Sequence, residues 1–262
     1  AACYSWVAYQ TAYLKANYPA EFMAALLTRR KNDIKEITKL MDACNQMGIP
    51  ILGPDVNESQ SDFGVNVKGE IRFGLSAIKG MGEGAAEAII KERTENGTYD
   101  GIYDFAKRMN TSQVNRKAYE SLAYSGAFDS FGLDREQFFM PANNKGELFV
   151  DTLIRFGQKY QNAMMEAQAS LFGFDDMNMA IALPPMPKGL STWSNLEKLN
   201  KERELVGIYL SAHPLDEYSV VLKAMCNTHC NELDNREELA KKQQLVFGGF
   251  VTNVRTGLTK KN

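Results

Sequence analysis

The stretch SAIKGMGEGAAEAII, residues 76–90, is the one whose reading decides the fold. Its pattern predicts two short helices joined by Gly80-Met81-Gly82, with Ala85, Ala86, Ile89 and Ile90 carried on the second helix. Glycines allow a tight turn and a close approach of backbone to a partner, and Met81 is expected to tuck into the small core between the helices. The second helix then opens with unpaired N–H groups and the positive end of its dipole, an arrangement suited to an anion. The candidate site is therefore Lys79, Gly80, Met81, Gly82, Glu83 and Gly84, helped by Lys91. The glycine spacing alone fits an ordinary helix–turn–helix connection with no ligand equally well.

Around this stretch the charge is nearly balanced: residues 68–126 hold nine Lys/Arg and eight Asp/Glu. A phosphate bound here would be held mainly by backbone amides, a contact that positions a protein on a duplex and reads no sequence. The whole chain, 262 residues with a net charge of −2, is not a strongly basic, sequence-blind nucleic-acid binder. Its 44% apolar and 24% charged residues describe an ordinary globular protein, and its length suggests two or three compact units. No run of 18 apolar residues occurs, and AACYSWVAYQ at the start lacks the basic and cleavage segments of a signal peptide. Four cysteines, Cys3, Cys44, Cys226 and Cys230, are too few for a disulfide framework, so a reducing cytoplasm is expected. The sequence begins without methionine in a helical pattern and stops on TGLTKKN, which reads as a piece of something longer.

Working outward, residues 1–50 are predicted helical, with Pro19 starting a helix and Asn32 or Asp33 capping the next. Ile34, Ile37, Leu40, Met41, Cys44 and Met47 keep a helical period up to Gly48 and form a core stripe. IPILGPDVNESQ, residues 49–60, is held extended by Pro50 and Pro54. In DFGVNVKGEIRFGL, Phe63, Val65 and Val67, then Ile71, Phe73 and Leu75, alternate about Lys68-Gly69-Glu70, predicting a small hairpin with one buried face. Short helices return from Ser76 to about Tyr124, and residues 133–167 are largely helical with an interruption near MPANNKG. GFDDMNMAIALPPMPKG, residues 173–189, has no period and reads as a linker. A helix follows a Ser191/Thr192 cap with Trp193, Leu196 and Leu199 on one face, and Val246, Gly248 and Phe250 fall on one side of a terminal strand.

RFGLSAIKGMGEGAAEAIIKER, residues 72–93, resembles the helix-hairpin-helix family, whose hairpins hold a duplex phosphate. A second, worn copy follows in NRKAYESLAYS, Gly126 and AFDSFG; lacking the G-x-G spacing, it is expected to pack on the first and bind DNA weakly or not at all. With YQTAYLKANYPAEFMAALL, ILGPDVNES, FGLSAIKGMGEGAAEAII and SGAFDSFG in that order, nearly the whole chain resembles the alpha-subunit family of bacterial, replicative C-family DNA polymerase III. ELVGIYLSAHPLDEY and VFGGFVTNVRTGLTKKN resemble that family's helical lead-in and the first strands of its OB-fold. The resemblance implies a mainly α fold with a small β-hairpin, organised as the end of the polymerase fingers (1–50), a tandem helix-hairpin-helix domain (51–140), a helix with a clamp-binding peptide and linker (141–189), a helical lead-in (190–242) and an incomplete OB-type β-fold (243–262).

EAQASLFGFDD, residues 166–176, raises a second question. Read alone, Leu171 and Phe172 before Gly173 look like an ordinary helix end. The resembled family carries a sliding-clamp peptide at this place, of the type Gln-x-(Ser/Asp)-Leu-Phe, and Gln168, Ser170, Leu171 and Phe172 match it. The departure is Ala169, where leucine is commoner, which is expected to weaken the peptide without disabling it.

The implied role is non-catalytic: gripping primer-template duplex and tethering a DNA-directed DNA polymerase to the sliding clamp (the beta subunit) for processive replication, with other holoenzyme subunits contacted elsewhere. Polymerase chemistry needs carboxylates that hold two metal ions, and no Asp-x-Asp pair occurs here; the resemblance places the palm and its Mg2+ upstream. No catalytic residue, cofactor or metal site is expected in this chain. Asp175-Asp176 reads as solvated spacing, Cys226, His229 and Cys230 lack a fourth ligand at zinc spacing, and His213 reads as a turn or core histidine. The alternative reading is the helix-hairpin-helix scaffold of a DNA-repair enzyme, a ligase or excision nuclease.

Overall fold

The computed structural model describes residues 2–143, 145–169, 181–189, 192–228, 232–233, 239–251, 254 and 256–257. They divide into two compact units, Ala1–Ser211 and Ala212–Asn262. In the first, α1 (Ala2–Asn17) buries none of its residues and ends before Pro19, which opens α2 (Pro19–Arg29). Proline at a first helical turn forgoes an N–H that has no partner anyway. α2 buries Ala20, Met23, Ala24 and Leu27 along one face.

Asp33 caps α3 (Ile34–Gln46) by accepting from the Lys35 and Glu36 amides. The helix stops at Gly48, whose φ of +70° favours glycine. There the Ile49 amide donates to Cys44 O and the Gly48 amide to Asn45 O, the paired bonds of a Schellman end. Ile37, Met41 and Cys44 form the buried stripe; Ile34 and Met47, at its two ends, are exposed.

Three two-residue strands follow: β1 (Ile51–Leu52), β2 (Gly64–Val65) and β3 (Ile71–Arg72), in sheet order β1-β3-β2. β2 and β3 are the expected hairpin, closed by the Gly69 amide donating to Asn66 O, with Gly69 at φ +79°. β1 pairs with β3 in parallel, a long-range pairing that alternation within one segment cannot announce. Phe63, Ile71, Phe73 and Leu75 are buried, while Val67 is fully exposed because the strand ends before it and the turn carries it out.

The rest of the unit is helical: α4 (Glu83–Asn96), α5 (Ile102–Arg108), α6 (Arg116–Ser125), α7 (Phe149–Ala169) and α8 (Asn195–Val206). One apolar core runs from Ala20 to Phe156 and takes in Val206. At its centre Phe105 meets Tyr99, Phe128 and Tyr119 edge-on, at ring distances of 4.9, 5.1 and 5.5 Å. Between α6 and α7 lie 3-10 turns at Asp129–Phe131 and Arg135–Phe139 and a bridge between Pro141 and Leu148.

Residues 181–189 form neither helix nor strand, but they lie on the body: Tyr103 Oη donates to Pro184 O at 2.8 Å and Gln137 Nε2 to Pro187 O at 3.2 Å. The cap of α8 is Ser194, in a capping box with Glu197, two residues beyond the expected Thr192. Thr192 serves otherwise, its amide donating to the buried carboxylate of Glu136. α8 is fixed by Glu202, 1% exposed, which pairs with Arg135 Nη1 at 2.6 Å and accepts from the Leu210 and Ser211 amides. Of the three apolar residues expected on one face there, Leu199 is buried, Leu196 is exposed, and Trp193 precedes the helix to stack on Tyr124 and Phe139.

The second unit contains a 3-10 turn at Asp216–Tyr218 and α9 (Ser219–Met225). His213 is a turn histidine, its Nδ1 accepting from the Leu215 amide. Asn227 bonds to the backbone of Gln244 and Val246. No strand occurs among the described residues from 243 onward, Val246, Gly248 and Phe250 included, so the expected OB-type beginning has no counterpart there.

Candidate nucleic-acid interface

The hairpin of residues 75–84 departs from the expectation at its first arm. Instead of a helix, that arm is a 3-10 turn, Leu75–Ala77, followed by Ile78 in extended conformation. The turn closes with the Met81 amide donating to Ile78 O at 3.0 Å. Gly80, third in this turn, has φ +91°, the left-handed value that a type II turn demands of its third residue. Met81 is 7% exposed and joins the core as expected, beside the buried Ile78.

Gly82 is the N-cap of α4, with ordinary extended backbone at φ −81° and ψ 152°. A methyl group there would meet nothing within 4 Å, so this face of the turn is open. The Ala85 and Ala86 amides donate back to Gly82 O, which leaves the Glu83 and Gly84 amides without an acceptor among the described residues. Two N–H groups without an acceptor among the described residues, at the positive end of a 14-residue helix, are a physically competent anion cradle.

The turn is held from behind by two distant elements. Ser121 Oγ on α6 donates to Lys79 O at 3.1 Å, and the Lys79 amide donates to Leu205 O of α8 at 2.9 Å. Both bonds fix the Lys79 backbone and leave its side chain exposed. A Cβ on Gly80 would fall 2.7 Å from Ser121 Oγ and 3.2 Å from Lys117 Cε, so α6 lays a second lysine along the turn.

Ion pairing separates the nine cations of residues 68–126. Arg72 pairs with Glu58, Arg108 with Glu92 and Asp104, and Arg116 with Glu120 and Asp151. Lys91 lies 3.9 Å from Glu95 and two turns along α4 from Glu83, about 12 Å away at the helical rise. It is not part of the cradle. Arg93 is buried and donates to Val56 O and Ser59 O, anchoring α4 to the loop that follows β1. Lys79 and Lys117, both exposed and beside the turn, form no ion pair among the described residues.

Sequence reasoning named Lys79 to Gly84 and missed Lys117, Ser121 and Lys31. Lys31 follows α2, and its Nζ lies 2.9 Å from Glu83 Oε1 and 3.0 Å from Asp62 Oδ1. None of the three carries a local signature; their partners are more than 30 residues away.

The second copy is built differently. α6 ends at Gly126, left-handed at φ +83°, whose Cα is covered by the Arg135 guanidinium and Asp129. Only a three-residue 3-10 turn follows it, and α6 packs on the first hairpin through Ser121. Of QASLF, Gln168 and Ala169 belong to the last turn of α7, while Ser170, Leu171 and Phe172 lie outside the described residues, as do Asp175, Asp176, His229 and Cys230. No cluster of metal-ligating side chains exists among the described residues.

Comparison with known proteins agrees with this geometry. Residues 48–138 match the family model of the helix-hairpin-helix motif. The chain is 36% identical over 265 residues to the DNA polymerase III subunit alpha of Pasteurella multocida and 39% over 264 residues to that of Saccharopolyspora erythraea. Each match covers 99% of this chain and 21% of the relative. The Escherichia coli subunit is 36% identical over 222 residues, 83% of this chain and 18% of the relative. The chain thus spans about a fifth of the length of its curated relatives. With an open, glycine-built hairpin inside a match that runs from end to end, the chain belongs, as a segment, with the DNA polymerase III alpha subunits.

Proposed function

We propose that this chain is a non-catalytic, DNA-gripping segment of a replicative DNA polymerase III alpha subunit. The observation that carries the reading is the pair of Glu83 and Gly84 amides, without an acceptor among the described residues, on a turn that is uncovered at Gly82, contains the exposed Lys79 and has the Lys117 stem alongside Gly80. Such a cradle holds one phosphate of primer-template duplex through amides and two ammonium groups, without contact to base edges. It fixes the position of the duplex and is indifferent to its sequence. The helix-hairpin-helix match and the polymerase names of the relatives support duplex DNA as the anion.

Nucleotidyl transfer, with its Mg2+ ions, belongs in this reading to carboxylates that this sequence lacks. The chain would serve that chemistry in the cytoplasm by keeping the duplex in register. Gln168, Ser170, Leu171 and Phe172 would add a tether to the sliding clamp, Leu171 and Phe172 filling an apolar pocket and Gln168 orienting them. Two buried apolar side chains supply about 1.5–3 kcal/mol each before ordering costs, which places a lone peptide in the micromolar range. Occupancy rises once polymerase and clamp share one DNA.

The test of the grip is fluorescence anisotropy of a labelled duplex with the wild-type chain and a Gly82→Val variant. Valine fits the backbone at this position and obstructs the cradle, so affinity falls while the fold is kept. Few phosphates are engaged, so log K falls with log salt by about 0.9 per phosphate. A steep slope or an unaffected Gly82→Val variant refutes the amide cradle. The tether is tested by surface plasmon resonance on immobilised clamp: micromolar binding is expected for wild type and none for the Leu171→Ala, Phe172→Ala variant.

A further inference from the structure

Glu83 sets a difficulty for any phosphate at this turn. It is the first residue of α4, so its carboxylate shares one turn with the amides that a phosphate would use, and helix N-termini stabilise negative side chains. A carboxylate folded over those amides would compete with a phosphate and repel it.

Lys31 reaches that carboxylate. Its Nζ sits 2.9 Å from Glu83 Oε1, 3.0 Å from Asp62 Oδ1 and 3.2 Å from Ser76 Oγ. Ser76 Oγ in turn donates to Ser61 O at 2.8 Å, which fixes the side of the socket. The Lys31 side chain is 20% exposed and that of Glu83 71%, so the lysine is the held partner and the glutamate is drawn to it. The bonds to Glu83 and Asp62 hold the Lys31 pKa above the ordinary lysine value, keeping it charged wherever DNA is bound.

We propose that Lys31 is a positioning residue of the duplex site: it neutralises Glu83 and holds that carboxylate off the Glu83 and Gly84 amides, so that a phosphate finds them free. The inference rests on the phosphate reading of the cradle. It makes the turn after α2, outside the glycine hairpin, part of the DNA-binding apparatus. Without Lys31, Asp62 and Glu83 would stand as two uncompensated carboxylates near the approaching phosphate.

Labelled duplex is titrated by anisotropy, from about 50 to 200 mM salt, with the wild-type chain and with K31M, K31R, E83Q and K31M/E83Q. K31M is expected to bind about two- to fivefold more weakly at low salt, as befits a partly exposed charge, with the difference shrinking as salt rises. K31R stays near wild type, and K31M/E83Q returns to within about twofold of E83Q, whose own affinity equals or exceeds wild type. An unchanged K31M overturns the proposal. So does a K31M/E83Q variant as weak as K31M, which would make Lys31 a structural tie to Asp62 and nothing more. If K31M fails to fold by circular dichroism, E83Q alone decides, since weaker binding by E83Q contradicts a carboxylate that must be kept away. Wild type failing to bind duplex removes the phosphate reading and this inference together, whereas wild type binding equally with K31M removes the inference alone.

Discussion

Gly80→Ala puts the construction of the hairpin to a quantitative test. At φ +91° an alanine pays about 1–2 kcal/mol for left-handed backbone. Its Cβ would stand 2.7 Å from Ser121 Oγ and 3.2 Å from Lys117 Cε. The lysine stem is exposed and can swing aside. Ser121 is 4% exposed, and its hydroxyl donates to Lys79 O, so displacing it gives up a buried hydrogen bond at a further cost of about 0.5–1.5 kcal/mol. The sum is about 1.5–3.5 kcal/mol of lost stability. Gly82→Ala is the control: ordinary backbone, nothing within 4 Å of the new methyl, and a stability equal to wild type or slightly higher. Urea unfolding followed by circular dichroism and by the fluorescence of Trp193, stacked 5.7 Å from Phe139, reads both variants. A Gly80→Ala variant that unfolds with wild type, or a Gly82→Ala variant as weak as Gly80→Ala, refutes this account of the turn.

Three more outcomes are expected. Tyr119 is fully buried and its hydroxyl has no partner among the described residues, so Tyr119→Phe should leave thermal stability unchanged or raise it by about 1 kcal/mol. Arg135→Met strands the buried Glu202 carboxylate and should cost about 3–5 kcal/mol, read as a fall in Tm. Burial pushes the Cys44 thiol up to about 11 from 9.0, so at pH 8 iodoacetamide should label the exposed Cys3 and spare Cys44 until urea is added. Because the unfolded thiol ionises first, its contribution to stability is intact below pH 9 and declines toward pH 11, and the urea midpoint should follow that slope less steeply in Cys44→Ala.

The cradle shows how far the chain could be read by itself. Gly80, Met81 and Gly82 announce a turn because only their backbone freedom and one apolar plug are needed, and both are local properties. The first arm has a helical pattern in sequence but folds only as a 3-10 turn, Leu75–Ala77, with Ile78 leaving in extended conformation to start the next turn. Lys91 shares a helix with the cradle, which makes it a neighbour in sequence, yet the rise of α4 carries it away to Glu95. Val67 continues an alternating pattern beyond the strand that would have buried it.

By itself the sequence determined the pieces whose physics is short-ranged. These are the proline start of α2, a cap at residue 32 or 33 and the glycine end of α3, the β2–β3 hairpin, the buried Met81 and the free N-terminus of α4. Each depends on dihedral preference or hydrogen bonding within a few residues. Only the tertiary structure decided that β1 joins β3 in parallel, that Leu205 and Ser121 grip Lys79, and that Arg135 and Glu202 fasten α8. It alone brought Lys117 and Lys31 to the turn. Those choices join residues 20 or more positions apart, and nothing in a lysine or serine codon-neighbourhood selects a distant partner; the packing of the shared core does.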